Sequence, residues 1–207
     1  MMSCIVDALT AGGYSQTGAD TGYISEINGI EEKAAAEGSG WMGTLNDWFT
    51  SEGFAAYTVA NGKLKAGDEI AVQHTCNLGA DIGGAFGDSN KTLKAIALSA
   101  GELNPAFSSD VHDYTMILPE GVTATPTASN KQNRVRIYVG GTEYGRKDAI
   151  PVQVGTVITL KVGNDGDASP ETYTIALQAA GNLLSGGNVS LTSIHQDGSA
   201  GTKVALT

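Results

Sequence analysis

The stretch TLKAIALSAGELNPAFSSDVHDY, which runs from Thr92 to Tyr114, contains the clearest indication of fold class in this chain. Its alternating apolar residues predict a strand near 92–99, and Gly101 falls in the turn that follows. Pro105 and Phe107 come next, and a second strand opens at Tyr114. Short strands joined by turns in this way are typical of the first part of a β-sandwich.

Toward the C-terminus, alternation of apolar and polar residues recurs at the spacing of a seven-stranded sandwich. Strands are predicted near 92–99, 113–118, 122–128, 134–139, 149–154, 156–162 and 171–178. Beyond this module, which we assign to residues 87–180, two alternating runs flank the turn-rich segment QDGSAG. The tail, 181–207, is therefore predicted to be an extra hairpin or the stub of a further module.

Toward the N-terminus, the sequence contains both a helical and several strand patterns, which indicates a smaller α+β module over residues 1–86. Ser3 is predicted to cap a short helix that ends at Gly12. Strands are predicted at 23–27, before the turn Asn28-Gly29, and at 41–45 and 69–75. Residues 77–90 are rich in glycine and aperiodic, which indicates a linker or a long loop.

Charge is distributed unevenly over a chain whose formal net charge is −10. The acidic residues concentrate before residue 89, and nine of the twelve basic residues follow it. No cluster of Lys and Arg favours nucleic acid, so this class of partner is excluded. The asymmetry supports two modules, and its simplest interpretation is a solvated acidic face.

Residues 89–178 resemble the cadherin-like β-sandwich domain that occurs in tandem on bacterial surface proteins. The resemblance rests on Leu93–Phe107, read as L-x-x-I-x-L-S-x-G-x-L-x-P-x-F, on Asp110–Tyr114, and on Tyr173-Thr174-Ile175. It implies an immunoglobulin-like sandwich, and Phe107 and Tyr114 are interpreted as core residues.

Residues 4–84 resemble a domain of unknown function related to the C-terminal cap of transcobalamin-type cobalamin carriers, a β-grasp ligand-binding superfamily. The matching pieces are Ile5–Leu9, Tyr23–Gly29, Gly40–Met42, the Asn46 turn, Tyr57–Val59, Gly67–Ile70 and Leu78–Asp81. The family carries a strand before the helix, whereas only Met1 and Met2 precede it here. The resemblance therefore implies an open sheet edge, to be filled by another chain or by the tail strand 202–206.

The fold class predicted is thus mainly β, with a small β-grasp-like α+β module followed by an Ig-like or cadherin-like seven-stranded sandwich. Trp41 is interpreted as a core residue. Trp48 and Phe49 lie at a predicted hairpin tip, where they either bind a ligand together with Tyr57 or lie buried beneath a neighbouring loop.

Few residues suggest a disulfide, a metal site or a catalytic role. Cys4 and Cys76 either form a disulfide or remain free, buried thiols. Four aspartates in Gly-rich loops raise a calcium hypothesis, but none has the D-x-D-x-D-G spacing of a calcium loop, and we predict no metal site or cofactor. The three histidines are far apart in sequence and no catalytic pattern surrounds them, so no enzyme is expected.

The expected function is that of a non-enzymatic, extracellular adhesion or ligand-binding module carried on a β-sandwich spacer. No signal-peptide pattern occupies residues 1–10 and no apolar run spans a membrane, so the chain is expected to be cytosolic or part of a longer exported protein. The resemblance favours the bacterial cell surface. Two alternatives remain open: a module that caps a cobalamin-like small molecule, and a glycan-binding accessory domain of a larger secreted enzyme. The partner would be a glycan, a protein or a corrinoid-like molecule, with strand-mediated self-association as a further partner.

Overall fold

The fold was obtained as a computed structural model that describes residues 1–164, 167–179, 189–194 and 200–206, the last two segments as backbone alone. The chain is mainly β, which confirms the predicted fold class. We keep the predicted ranges as names: the N-terminal module is residues 1–86 and the C-terminal module is residues 87–180. These module boundaries themselves stay a prediction.

The N-terminal module contains one helix and two antiparallel three-stranded sheets. Its elements are α1 (Met2–Ala11), β1 (Gln16–Thr17), β2 (Glu26–Ile27), β3 (Ile30–Glu31), β4 (Gly40–Leu45), β5 (Trp48–Phe49) and β6 (Ile70–Thr75). One sheet has the order β1-β2-β3 and the other has the order β5-β4-β6. Most of these strands are short, so turns rather than long ladders determine the path of the chain.

The helix begins earlier than the sequence predicts. Met1 occupies the N-cap position without a side-chain cap, and Ser3 lies inside the first turn. The C-terminal end agrees with the prediction, because Gly12 is the C-cap and its N–H donates to Ala8 O at 3.0 Å. Ile5 is buried and Leu9 packs against the same hydrophobic cluster, so the predicted apolar face holds α1 in place.

Two tight turns give the module its hairpins. Asn28 and Gly29, with φ of 49° and 82°, join β2 to β3. Asn46 and Asp47, with φ of 53° and 81°, join β4 to β5. Two consecutive residues with positive φ match the right-handed twist of the flanking strands, and Asn, Asp and Gly adopt this conformation most readily. The predicted Asn46 turn is therefore a two-residue hairpin whose second strand carries Trp48.

The C-terminal module contains a five-stranded and a two-stranded sheet, and a separate hairpin follows it. Its strands are β7 (Leu93–Leu98), β8 (Asp113–Ile117), β9 (Ala124–Ala128), β10 (Arg134–Val139), β11 (Thr142–Tyr144), β12 (Val157–Gly163) and β13 (Glu171–Gln178), and the tail forms β14 (Val189–Ile194) and β15 (Ala200–Leu206). The larger sheet has the order β11-β10-β12-β13-β8, in which β8 is parallel to β13, and β7 pairs with β9.

Six of the seven predicted strands of this module are present, and the seventh is not. The segment 149–154 forms a single bridge, Ile150 to Val122, instead of a strand. A short strand that the sequence did not predict, β11, follows the turn at Gly140 and Gly141 and pairs with β10. In the tail, β14 and β15 pair antiparallel. Whether this pair is an extra hairpin or the stub of a further module stays a prediction.

Two separate hydrophobic clusters stabilise the chain. The cluster of the C-terminal module contains Leu93, Tyr114 and Tyr173, all buried, with Phe107 packed against it. The Tyr173 hydroxyl accepts from Leu93 N at 3.1 Å and donates to Ser109 O at 2.9 Å, which ties the stretch that opens the module to β13. The interpretation of Tyr114 as a core residue is confirmed, and Phe107 is half-buried at the edge of the core.

The open edge expected in the N-terminal module stays a prediction, and β6 is one edge strand of its sheet. This strand pairs with β4 on one side, and within the described residues no strand pairs with its other side. The tail does not fill this edge, because the described partner of β15 is β14. Whether a second chain pairs with β6 stays a prediction.

Candidate functional site

A half-exposed aromatic groove lies on the N-terminal module. Tyr23, Trp41, Met42 and Phe54 provide its apolar lining and Glu52 provides a carboxylate, around a cavity of about 180 Å³. We call it the Tyr23–Trp41 groove. Trp41 and Met42 come from β4, Phe54 opens a short 3-10 helix (Phe54–Ala56), and Tyr23 and Glu52 come from loops. The groove therefore combines one strand with irregular segments of the chain.

The Trp41 ring is held in one orientation. Its Nε1 donates to Ile30 O at 2.9 Å, and the His74 ring packs edge-on against it with 5.1 Å between the ring centroids. His74 in turn places its Nε2 3.3 Å from Glu31 O. The prediction of Trp41 as a buried core residue is wrong in degree: the ring is half-buried, because it covers the edge of the core while part of it faces the groove.

The floor and the rim of the groove depend on glycine and tyrosine. The Phe54 ring lies directly on Gly43, where an added Cβ would come within 2.3 Å of the ring. Tyr23 forms the rim and is 44% exposed. Partial burial, followed by a hydrogen bond from its hydroxyl to Glu32, raises the pKa of Tyr23 above its ordinary value, so this side chain stays a neutral hydrogen-bonding group at physiological pH.

The predicted ligand-binding residues Trp48, Phe49 and Tyr57 lie elsewhere and are all buried, with no more than 6% of each exposed. Trp48 and Tyr57 pack edge to face at 6.1 Å, and the Arg134 guanidinium lies 5.7 Å from the Trp48 ring centroid. Of the two outcomes expected for the hairpin tip, the geometry is that of burial. Ligand binding by these residues stays a prediction and would require the covering surface to move.

The surface that covers this hairpin belongs to the C-terminal module, and we call the contact between the two modules the joint. Phe49 N donates to Lys131 O at 2.8 Å. The side-chain amide of Asn130 accepts from Ala85 N at 3.1 Å through its Oδ1 and donates to Ala85 O at 3.0 Å through its Nδ2. The Arg146 guanidinium donates to Asn46 O in the hairpin turn. Backbone and side-chain hydrogen bonds thus fix one module against the other.

The joint is also complementary in charge. Lys147 Nζ lies 2.7 Å from Glu69 Oε1, and Lys131 Nζ lies 3.7 Å from Asp47 Oδ1. In each pair the lysine comes from the C-terminal module and the carboxylate from the N-terminal one. Two cross-module ion pairs of the same polarity thus contribute to the joint.

The remaining candidate residues are placed as follows. Cys4 and Cys76 are free and exposed, so they form neither the disulfide nor the buried thiols that we had expected. His112 stacks on Tyr173 with its Nε2 2.7 Å from Glu171 Oε1, and His195 lies outside the described residues.

The four aspartates of the calcium hypothesis serve local structure where they are described. Asp81 accepts from the Thr75 hydroxyl and from Cys76 N, and these hydrogen bonds, the first foremost, lower its pKa. Asp88 accepts from the backbone of its own loop, and Asp167 pairs with Lys91. Asp165 lies outside the described residues, among which no group of three or more His, Cys, Asp or Glu is placed to hold a metal ion.

The Tyr23–Trp41 groove was not predicted, because its walls come from three separate segments of sequence. One signal was present: an isolated glycine inside the strand around Gly43 marks a place where another group approaches the backbone closely.

Comparison with known proteins gives one family match. Residues 3–74 match the model of a family described as a domain of unknown function (DUF4430), and this match covers about a third of the chain. No curated protein and no solved structure matches the chain significantly. In the part of the chain that the structure describes, no helix has the length and hydropathy needed to cross a membrane. The N-terminal module, with its aromatic groove, is thus similar to a family of unknown function.

Proposed function

We propose that this chain is a non-enzymatic ligand-binding or adhesion segment of a longer protein exported to the bacterial surface. In this proposal the N-terminal module binds the ligand in the Tyr23–Trp41 groove, and the C-terminal module is the spacer that carries it. The observation that supports it is the fixed, half-exposed Trp41 ring beside the exposed Tyr23 ring, since exposed aromatic surface rimmed by polar groups marks binding sites.

The size of the groove limits the ligand. Pockets that enclose a small molecule usually measure roughly 300–1,000 Å³, whereas this groove measures about 180 Å³. It therefore accommodates one ring of a larger molecule. Aromatic rings offer a flat apolar face, and Glu52 at the rim, which pairs with Lys63, offers a hydrogen-bond acceptor. A glycan, whose sugar rings have one apolar face and many hydroxyls, fits these features.

The principal alternative is a module that caps a cobalamin-like molecule. The sequence resemblance to a transcobalamin-type cap favours this candidate. The residues of the groove lie within the segment 3–74, which matches a domain of unknown function. A cap contacts one face of a corrin, so a shallow site suffices. A glycan-binding accessory domain of a secreted enzyme is the third candidate and would use the same groove.

The cadherin-like spacer has its own support. The C-terminal module buries one core between a five-stranded and a two-stranded sheet, as a sandwich does. The hydrogen bonds and ion pairs of the joint would also fix the orientation of the groove relative to the spacer.

The proposal is tested by screening the full chain on a glycan array and by titrating it with corrinoids while tryptophan fluorescence is measured. We expect binding that Trp41→Ala weakens at least about tenfold, which corresponds to about 1.4 kcal/mol. Tyr14→Ala, which removes an exposed aromatic side chain outside the groove, is the matched control and should bind normally.

The outcomes separate the candidates. Glycan binding lost in Trp41→Ala supports the adhesion function, and corrinoid binding lost in the same variant supports the capping function. Absence of binding to either class, or binding that Trp41→Ala leaves unchanged, would contradict the assignment of the groove.

A further inference from the structure

A second cavity, of about 60 Å³, lies inside the joint between the two modules. The Asn46 turn and Trp48 line it from the N-terminal module, and β10 and the loop around Arg146 line it from the C-terminal module. A buried water needs about 15 Å³ of such volume, so the cavity holds about four waters or one tetrahedral ion. Ligand sites often occur where two domains meet.

Cationic side chains surround this cavity in a chain whose net charge is −10. Lys63, Lys65, Arg134 and Arg146 all line it. Two of the three arginines of the whole sequence are therefore gathered here. A guanidinium is the preferred partner of carboxylates, phosphates and sulfates, because its planar donors match two anionic oxygens at once.

Arg146 has a donor that the described residues do not use. Its Nη1 donates across the joint to Asn46 O, but its Nε is buried and has no hydrogen-bond partner in the described part of the chain. A buried donor on a charged group is costly when unpaired, so a bound partner at this position is favoured.

Three carboxylates also line the cavity, and each already has a partner. Asp68 accepts from Asn46 Nδ2 at 2.6 Å, and Glu143 accepts from Arg134 Nη2 at 3.0 Å. Asp47 lies 3.7 Å from a lysine ammonium of the opposite module. Because these carboxylates are engaged, they leave Arg146 Nε unsatisfied.

From this arrangement we infer that the cavity in the joint is a binding site for a small oxyanion: a carboxylate, phosphate or sulfate group. The ion accepts from Arg146 Nε. Since the lining residues come from both modules, binding stabilises the joint and raises the unfolding temperature, by an increment that grows with the logarithm of the anion concentration above the dissociation constant. This site is independent of the Tyr23–Trp41 groove.

The direct test is an NMR titration of the side-chain Nε–H signals of the three arginines of the unaltered chain. Inorganic phosphate, sulfate and acetate are added separately, with sodium chloride at matched ionic strength as the control. We expect the Arg146 signal to shift saturably with one or more oxyanions and to respond much less to chloride. Comparison of the three distinguishes a carboxylate site from a phosphate or sulfate site.

A second readout uses Trp48, which lines the cavity. In a Trp41→Phe background, the oxyanion that binds should change the Trp48 fluorescence, and Arg146→Gln should weaken this binding at least tenfold. Arg136→Gln is the matched control, because Arg136 lies on the same strand as Arg134 but does not line this cavity. Unaltered binding in Arg136→Gln supports the assignment.

The inference is overturned if the Arg146 Nε–H signal follows ionic strength alone and does not saturate with any of the three anions, which would mean that the cavity holds only water. It is equally overturned if Arg146→Gln folds and binds as tightly as Arg136→Gln. If Arg146→Gln does not fold, the titration of the unaltered chain decides the question.

Discussion

The backbone conformations of the two modules are stabilised by different interactions. In the C-terminal module every strand except β11 has five to eight residues, and alternate side chains enter one continuous core. In the N-terminal module four of the strands have only two residues each, and local hydrogen bonds determine the path of the chain between them. Thr75 Oγ1, for example, accepts from Gly79 N at 2.6 Å and from Asn77 N at 3.1 Å to shape the loop after β6.

This contrast explains where a half-exposed groove forms. Long strands bury alternate residues and leave a regular polar face on the outside. Short strands joined by turns bring side chains from distant segments to the same place, half-covered, as in the Tyr23–Trp41 groove. Binding residues are generally concentrated in such loops on a rigid support, and here β4 provides the support.

The largest expected effect comes from the long-stranded module. Leu160, on β12, is fully buried, and Leu160→Ala should lower the free energy of unfolding by about 2–5 kcal/mol through lost burial and a residual cavity. Urea unfolding followed by circular dichroism measures this change. Both tryptophans lie in the N-terminal module, so fluorescence followed in parallel shows whether the joint transmits the loss.

The matched control for this variant is Val157→Ala on the same strand, where the side chain is exposed and the expected cost is below about 1 kcal/mol. Equal destabilisation by the two variants would contradict the core described for the C-terminal module.

A smaller effect is expected in the short-stranded module from Gly43→Ala. The new methyl group would overlap the Phe54 ring, and overpacking of this kind costs about 1–3 kcal/mol. The displaced ring should also alter the floor of the groove. Urea unfolding measures the first effect, and ligand titration measures the second.

Gly53→Ala is the control for this substitution. It also lies in the groove, but its added Cβ would make an ordinary contact of 3.6 Å with Gly22 O. If Gly43→Ala proves as stable as Gly53→Ala, the ring does not lie on the glycine as described.

The smallest effect concerns the pH response of the joint. A hydrogen bond from Lys147, together with its positive charge, lowers the pKa of Glu69 below the ordinary value. A carboxyl whose pKa is lower in the folded state stabilises the fold above its unfolded pKa and loses this contribution as the pH falls through the folded pKa. Because both side chains are largely exposed, we expect a weak effect that salt reduces.

NMR titration of the Glu69 side chain measures this effect. Lys147→Gln should return the pKa of Glu69 toward its ordinary value, whereas Lys94→Gln, which removes an exposed lysine from β7, should leave it unchanged. An identical pKa in all three proteins would show that the pair does not form in solution.

The sequence predicted the long strands well, because alternation over five or more residues reports burial on one face. The stretch from Thr92 to Tyr114 contains β7, the turn and the start of β8. The strand predicted at 149–154 did not form, because its sequence, AIPVQV, carries a proline and needs a partner strand along its whole length, whereas only Ile150 pairs.

The candidate site was less predictable, for a physical reason. Trp48 and Phe49 follow a hairpin turn, and whether such residues are exposed depends on what packs on the turn. Lys131, Arg134 and Arg146 cover it, and each lies more than 80 residues away in the sequence. No local sequence pattern shows which distant residues cover this turn. Nor does any local pattern show that Tyr23 and Phe54 lie beside Trp41 in one groove.

The parallel pairing of β8 with β13 has a mechanical consequence. Residue 113 opens β8 and residue 178 closes β13, at opposite ends of a ladder with five paired positions. Tension applied between these two residues slides the strands past each other along their length. The hydrogen bonds of the ladder then bear the load together and must fail together, whereas bonds that are peeled from one end fail one at a time. Tension along this part of the chain therefore meets resistance where β8 lies against β13.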